Sequence, residues 1–171
     1  PRVMTKTLKE EQRDEWLKRM DRAMELAEFT YQLLLKIVQD YWDVVTKVGV
    51  VETYYAGLAS NGEHNFYDGN IRVMSPSGKI EAEVQPQKYT EVVGEKVVPH
   101  CYATHIFYKK VGYPDGIWRG GPLARINVVE KMATTRANEA LKEFRAKVGR
   151  PCHATFAYHW ARGIELLDAI G

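Results

Sequence analysis

The chain has 171 residues, of which 45% are hydrophobic and 27% charged, as is typical of one globular domain. Its formal net charge of +2 is too small, and its basic residues too scattered, to favour a nucleic-acid-binding protein. Two cysteines without a CxxC spacing exclude a secreted disulfide scaffold. The apolar runs are shorter than the ~20 residues that cross a bilayer. We therefore expect a cytoplasmic protein that binds neither nucleic acid nor membrane.

The even composition of the chain predicts a single domain, and its two ends indicate a fragment. The sequence begins at Pro1 rather than Met and ends at Gly171, directly after a helical pattern. We therefore expect one domain over residues 1–171 that is an internal fragment of a larger subunit.

The first half of the chain predicts a long helix followed by a small β meander. Apolar residues recur every three or four positions over residues 8–48, which predicts a bundle helix that ends near Gly49. Short runs of β-forming residues then alternate with turn dipeptides such as Asn61-Gly62 and Asp68-Gly69. These runs predict antiparallel strands near 51–58, 64–67, 71–74 and 79–84, within a meander over about 50–84.

The second half predicts an irregular region and two further helices. Residues 85–126 are rich in Pro, Gly and aromatic side chains, which favours an ordered but irregular segment. Helical periodicity returns over 127–147 and again over 152–170, with the break at Gly149-Arg150-Pro151. The expected class is α+β.

Potential metal ligands occur in two groups, and neither has a convincing spacing. His100, Cys101 and His105 match no standard zinc pattern, and we favour aromatic packing with exposed histidines there. His153 and His159, which follow Cys152, would lie about 240° apart around a helix and should not bind one ion.

The arginines are the most informative polar residues. Arg119 and Arg125 flank a Gly-Gly-Pro-Leu-Ala stretch, and Arg162 lies within an apolar helical pattern. An arginine buried in such a pattern needs a partner, and Glu165, three residues further on, is a possible one. We favour a structural ion pair at this point over a direct catalytic role.

Three stretches of the chain resemble the large subunit of cytoplasmic, NAD-reducing-type nickel–iron hydrogenases. They are Tyr113–Val128, Tyr158–Leu167 with the preceding Gly149-Arg150-Pro151, and Phe66–Gly69 followed by Ile71. Their order and spacing are similar to those of the family. The resemblance covers essentially the whole chain and implies a middle segment between the two CxxC motifs that bind the metals.

The resemblance implies specific cofactors and partners. The parent enzyme would oxidise H2 reversibly at a nickel–iron centre with carbon monoxide and cyanide ligands, coupled to NAD(P) through partner subunits. This segment lacks both CxxC motifs, so we expect no catalytic residue, no metal ligand, no bound cofactor and no activity by itself. The expected partners are the remainder of the large subunit, together with an iron–sulfur small subunit.

On this interpretation the segment provides a scaffold and supports the metal site from outside its ligands. The residues that could support or brace the site are Arg119, Arg125, His159, Arg162 and Glu165. Helices removed from a bundle keep an apolar face, so self-association is also expected. The alternative is a free-standing, non-catalytic structural or assembly module related to hydrogenase large subunits.

Overall fold

The computed structural model describes residues 7–171 and confirms the α+β class. Helices and small antiparallel sheets alternate along the chain, and α-helices form both the N-terminal and the C-terminal parts of the described region. No helix within residues 7–171 is long and apolar enough to cross a membrane.

The predicted helix over 8–48 is three helices rather than one. They are α1 (Glu10–Leu17), α2 (Met20–Asp40) and α3 (Trp42–Lys47). The α2–α3 junction is Tyr41, whose φ of −116° and ψ of 34° are not helical. No residue of α1 is buried, so no packing holds α1 in line with α2.

Helix α2 is held by one apolar face that packs against the last helix, α6 (Ala157–Ile170). The buried side chains of α2 are spaced by three or four residues, and they are Ala27, Tyr31, Leu35 and Val38. Trp160, Ile164 and Leu167 of α6 are completely buried opposite them. This periodicity is the one that predicted both helices.

The predicted meander is confirmed with small shifts in its bounds. Its strands are β1 (Tyr54–Ser60), β2 (Glu63–His64), β3 (Asn70–Met74) and β4 (Ile80–Val84), in the order β2-β1-β3-β4. The turn between β1 and β2 uses Asn61 and Gly62 with φ of 50° and 81°. Asparagine and glycine tolerate such positive φ angles, as the sequence predicted.

The region predicted to be irregular contains more regular structure than expected. A 3-10 helix (Pro86–Glu91) leads into a two-stranded sheet of β5 (Val93–Lys96) and β6 (His105–Tyr108). Strand β7 (Trp118–Arg119) then returns to the first sheet and runs parallel to β1. Helix α4 (Pro122–Val128) begins with proline at its first turn, where a missing N–H does no harm.

The two C-terminal helices begin later than predicted. Helix α5 covers Thr135–Val148 and α6 begins at Ala157 instead of at 152. The chain between α4 and α5 is non-helical, because side chains form hydrogen bonds with its backbone. Oδ1 of Asn138 accepts a hydrogen bond from the N–H of Met132, and Oδ1 of Asp168 accepts one from the N–H of Thr134. Such bonds compete with the helical ones.

Helix α4 is the central element of the core. It packs against β1 on one side and α6 on the other, and Leu123, Ala124 and Ile126 are fully buried. A second, much smaller cluster consists of Val73 of β3, Val92 just before β5 and Tyr108 of β6. The fold thus brings the middle of α4 and the second half of α6 beside strand β2, where the polar site described next lies.

Candidate functional site

The site is built around a bidentate ion pair between α4 and α6. Arg125 donates from Nε to Oε1 of Glu165 at 2.6 Å and from its terminal Nη2 to Oε2 at 2.7 Å. The Glu165 side chain is 8% exposed and that of Arg125 is 29% exposed. A planar guanidinium that meets a carboxylate in this way fixes both distance and orientation.

His64 extends this pair into the interior. Its side chain is fully buried, with Nε2 at 3.3 Å from Oε1 of Glu165 and Nδ1 at 2.7 Å from Oδ2 of Asp168. Both ring nitrogens thus face carboxylates, which only a protonated imidazole, donating from both, can satisfy at once.

The second carboxylate of the cluster closes the network onto the backbone. Oδ1 of Asp168 accepts hydrogen bonds from the N–H of Thr134 at 2.9 Å and from its hydroxyl at 3.2 Å. Four separate parts of the chain are therefore tied together: strand β2, helix α4, helix α6 and the start of α5. We call Arg125, Glu165, His64 and Asp168 the buried ion cluster.

An aromatic ring lies beside the cluster. Phe66 meets His64 edge to face, with ring centroids 4.5 Å apart. The guanidinium carbon of Arg125 lies 5.8 Å from the same ring's centroid. Phe66 thus packs against the cluster and adds a cation–π contact.

The electrostatics agree with a fully charged cluster. Burial opposes the charge on His64, but its hydrogen bonds to Asp168 and Glu165 outweigh burial and raise its pKa. Burial likewise opposes ionisation of Glu165 and Asp168. Hydrogen bonds from His64, with Arg125 for Glu165 and Thr134 for Asp168, nevertheless lower both pKa values.

This arrangement is suited to holding elements together rather than to chemistry. Both nitrogens of His64 are engaged, so it has no free lone pair for a metal or a substrate proton. Residues 7–171 contain no group of three or more His, Cys, Asp or Glu side chains that could hold a metal ion. Cys101 is exposed and Cys152 is buried, so the described residues do not fit a thiolate-bound metal centre.

The structure corrects the one ion pair that the sequence suggested. Glu165 was expected to pair with Arg162, three residues earlier on the same helix, but it pairs with Arg125 of α4 instead. Arg162 is exposed on α6. The helical face that carries Glu165 points toward α4, so the partner comes from another element.

The remaining candidates lie outside the cluster. Arg119 binds backbone carbonyls, with Nη2 at 2.6 Å from Val51 O and Nη1 at 3.1 Å from His153 O. His159 is exposed and lines an apolar groove beside α2. Cys152 and His153 precede α6 instead of lying on it, so the helical-spacing argument made for them does not apply.

Sequence reasoning missed His64 and Asp168. One signal was available, because Glu165 and Asp168 lie three residues apart within an apolar helical pattern and therefore project from one side. Two carboxylates in such a place require a buried cation. No local pattern identified His64 as that cation, since it lies 101 residues from Glu165.

Comparison with known proteins relates the chain to hydrogenases, a class of oxidoreductases. No protein-family profile matches it. It is 44% identical over 99% of its length to a vhu subunit of the F420-non-reducing hydrogenase of Methanocaldococcus jannaschii, and covers 40% of that protein. It is 32% identical to an iron-sulfur subunit of the F420-non-reducing hydrogenase of Archaeoglobus profundus, and covers 37% of it. It is 28% identical to NAD-reducing hydrogenase HoxS subunit beta of Cupriavidus necator, and covers 32% of it.

A solved structure agrees in fold. The chain superposes on one chain of an NAD+-reducing [NiFe]-hydrogenase in the H2-reduced state with a TM-score of 0.88 and 29% identity. The match covers 96% of this chain and 37% of the other. The chain thus spans well under half the length of the relatives it matches.

These findings correct the sequence-based prediction of which subunit the chain comes from. The Archaeoglobus relative is named an iron-sulfur subunit, and none of the relatives' names designates a large nickel–iron subunit. The prediction of a large-subunit segment is contradicted on this basis, and we withdraw it. The partners deduced from it, namely the remainder of the large subunit together with an iron–sulfur small subunit, are withdrawn as well.

Proposed function

We propose that this chain is a segment of a hydrogenase subunit whose parent enzyme takes part in H2-dependent electron transfer. The observation that carries the proposal is the similarity to hydrogenase subunits over nearly the whole chain, in sequence and in fold. The segment itself provides a rigid framework, since its polar site joins four parts of the chain.

The buried ion cluster is the centre of that framework. It fixes β2 and α4 against α6 through paired charges, of which His64, Glu165 and Asp168 are buried and Arg125 is partly exposed. Removing one partner of such a cluster leaves the others buried and unpaired, which costs about 3–5 kcal/mol. The cluster therefore fixes the relative position of these elements as well as their stability.

In this proposal the metal cofactor and the cellular location are properties of the parent enzyme. A nickel–iron centre with carbon monoxide and cyanide ligands would lie outside residues 7–171, and no described residue is assigned as its ligand. The similarity in fold to an NAD+-reducing [NiFe]-hydrogenase supports such a centre in the parent. A cytoplasmic location, expected from the sequence, is part of the same proposal.

The electron acceptor of the parent is proposed to be NAD. The Cupriavidus relative and the solved structure are both described as NAD-reducing. The Methanocaldococcus and Archaeoglobus relatives are described as F420-non-reducing, which argues against F420 as the acceptor without naming another.

The test is H2-dependent reduction by the complete complex that contains this segment. Benzyl viologen reports hydrogenase activity regardless of the natural acceptor, and NAD+ and F420 are then compared as acceptors. We expect reduction of viologen and of NAD+, but not of F420. A complex that is intact and metal-loaded yet reduces no viologen under H2 would overturn the hydrogenase proposal. Activity with viologen but not with NAD+ would overturn the acceptor alone.

A further inference from the structure

Helix α2 carries a second apolar face that nothing in the described structure covers. Its exposed side chains continue through Tyr41 into α3, and they are Leu26 (50% exposed), Phe29 (67%), Leu33 (50%), Ile37 (47%), Tyr41 (62%) and Val44 (43%). We call these six residues the outer stripe. The four residues of the stripe that lie within α2 fall in an arc of about 80° at ~100° per residue, as the buried face of an amphipathic helix does. Tyr41, whose backbone is not helical, and Val44 continue the stripe into α3.

The outer stripe is distinct from the face that packs against α6. Within α2 the centres of the two faces are separated by about 150° around the helix axis. Helix α2 is thus apolar on two sides, a pattern that belongs to a helix buried within a larger assembly rather than to one at the surface. Contiguous exposed apolar patches of this kind mark interaction surfaces.

An apolar groove continues the outer stripe towards α6. It has a volume of about 390 Å³ and is lined by Leu34, Ile37, Val38, Tyr41, Val44, Val45, Phe156 and His159. Apart from the Tyr41 hydroxyl and the His159 ring, the lining consists of apolar side chains. Small-molecule sites place several polar groups precisely, so a metabolite is not the expected occupant.

The charges beside the stripe exclude a membrane surface as well. Helices that lie on membranes carry mostly lysine and arginine along their polar face. On α2 the charges alternate in sign, as in the ion pairs Arg22–Glu25 and Lys36–Asp40. A protein helix with an apolar face is the ligand that fits a groove of this kind.

The length of the relatives indicates where such a helix comes from. The chain matches 40% of the Methanocaldococcus relative and 37% of the solved hydrogenase chain. More than half of each of those polypeptides therefore lies outside the matched part and has to pack somewhere. A connected segment of the same polypeptide meets this surface at a much higher effective concentration than a separate molecule does.

We propose that the outer stripe and its groove are covered by an apolar helix from the part of the parent polypeptide that lies outside these 171 residues. The inference rests on the proposed function only in taking the chain as a segment of a longer subunit. The contact surface for that helix runs from Leu26 to Val44, with Phe156 and His159 at its edge.

The experiment is site-specific photocrosslinking in the complete parent subunit within its complex. The photoreactive amino acid p-benzoylphenylalanine replaces Phe29, the most exposed residue of the stripe, and in a matched control it replaces Gln32. Gln32 is exposed on the same helix and bonds to Glu28, and it lies about 100° around the axis from the centre of the stripe. After irradiation, mass spectrometry identifies the peptide joined to position 29.

The expected product joins position 29 to a peptide of the same polypeptide from outside these 171 residues, with no second chain attached and much less product at position 32. A crosslink to a different subunit or to a second copy would overturn the proposal, and so would the absence of any crosslink at position 29. The readout does not require turnover, so a complex that crosslinks as expected but reduces no viologen would refute only the proposed function.

A charged substitution supplies a second, independent measurement. Phe29→Glu in the complete subunit places a carboxylate in the proposed helix contact, and we expect loss of soluble, assembled subunit compared with Gln32→Glu. Equal yields of the two variants, each assembled as in the wild type, would contradict burial of the stripe.

Discussion

At the scale of single residues, His64 determines how the site behaves. It is the only member of the buried ion cluster whose ordinary pKa lies near neutrality, and both of its nitrogens face carboxylates. Its charge therefore decides whether Glu165 and Asp168 are compensated. The pH dependence of stability follows from the directions of the three pKa shifts.

The cluster should stabilise the fold most strongly between about pH 4.5 and 6.5. The pKa of His64 is raised above its ordinary value of 6.5, so its stabilising effect is complete below that pH and is lost as the pH rises through the folded-state value. The pKa values of Glu165 and Asp168 are lowered from 4.5 and 3.8, so their contribution is lost as the pH falls through the lowered values.

Urea unfolding at pH 6 and pH 9 measures this effect. We expect a lower unfolding free energy at pH 9, by about 1.4 kcal/mol for each unit by which the pKa of His64 is raised. His64→Gln should be less stable at pH 6 and should lose this pH dependence, whereas His100→Gln, at an exposed histidine, should retain it. An unchanged pH profile in His64→Gln would show that His64 is neutral in the fold.

The two cysteines should differ in reactivity. Burial raises the pKa of the Cys152 thiol, whereas Cys101 is exposed. We expect a maleimide to label one site in the native chain and two sites in urea, as measured by intact mass. Native Cys101→Ser should remain unlabelled, and rapid labelling of that variant would show that Cys152 is accessible.

At the scale of elements, the crossing of α2 over α6 depends on one glycine. A Cβ at Gly163 would lie 2.7 Å from Cδ2 of Leu34 and 3.0 Å from Cδ2 of Tyr31. The two helices approach closely here because α6 has no side chain at the crossing point. Helical periodicity predicted both helices, but it contains no information about the distance between them.

Gly163→Ala should therefore destabilise the fold, although glycine to alanine within a helix is normally stabilising by about 1 kcal/mol. The added methyl group displaces Leu34 or Tyr31, and overpacking of this kind costs about 1–3 kcal/mol. Thermal unfolding of Gly163→Ala is compared with that of Gly120→Ala, where a Cβ meets nothing within 4 Å. A Tm for Gly163→Ala at or above the wild-type value would show that the crossing can relax without cost.

At the scale of the whole molecule, two apolar clusters of very different size hold the chain. The larger one joins α2, α4, α5, α6 and β1, while the smaller one, made of Val73, Val92 and Tyr108, joins the β5–β6 sheet to β3. Local stability follows local burial. The β5–β6 sheet should therefore open without unfolding of the helices.

Amide hydrogen exchange tests this difference. We expect the amides of β5 and β6 to exchange well before those of α2 and α6. Tyr108→Ala should accelerate exchange in β5 and β6 alone, whereas Trp160→Ala should accelerate it throughout, since removal of a fully buried tryptophan costs about 3–5 kcal/mol. Uniform exchange in the wild-type chain would contradict two separate clusters.

The sequence by itself determined those features that depend on neighbouring residues. The apolar period over residues 8–48 predicted a helix with one buried face, which Ala27, Tyr31 and Val38 form in α2, and Asn61-Gly62 predicted the first hairpin turn. Side-chain period and turn conformation are local properties of the chain, which is why they can be read from a single sequence.

The tertiary structure alone decided which charges meet and where the helices end. Glu165 has Arg162 near it in sequence, but it pairs with Arg125 and His64, which lie 40 and 101 residues away. The break between α4 and α5 likewise depends on Asp168 binding the backbone of Thr134 from another helix. Such contacts exist only after packing has brought distant segments together, because a charge cluster of this kind forms where several elements exclude water at one point.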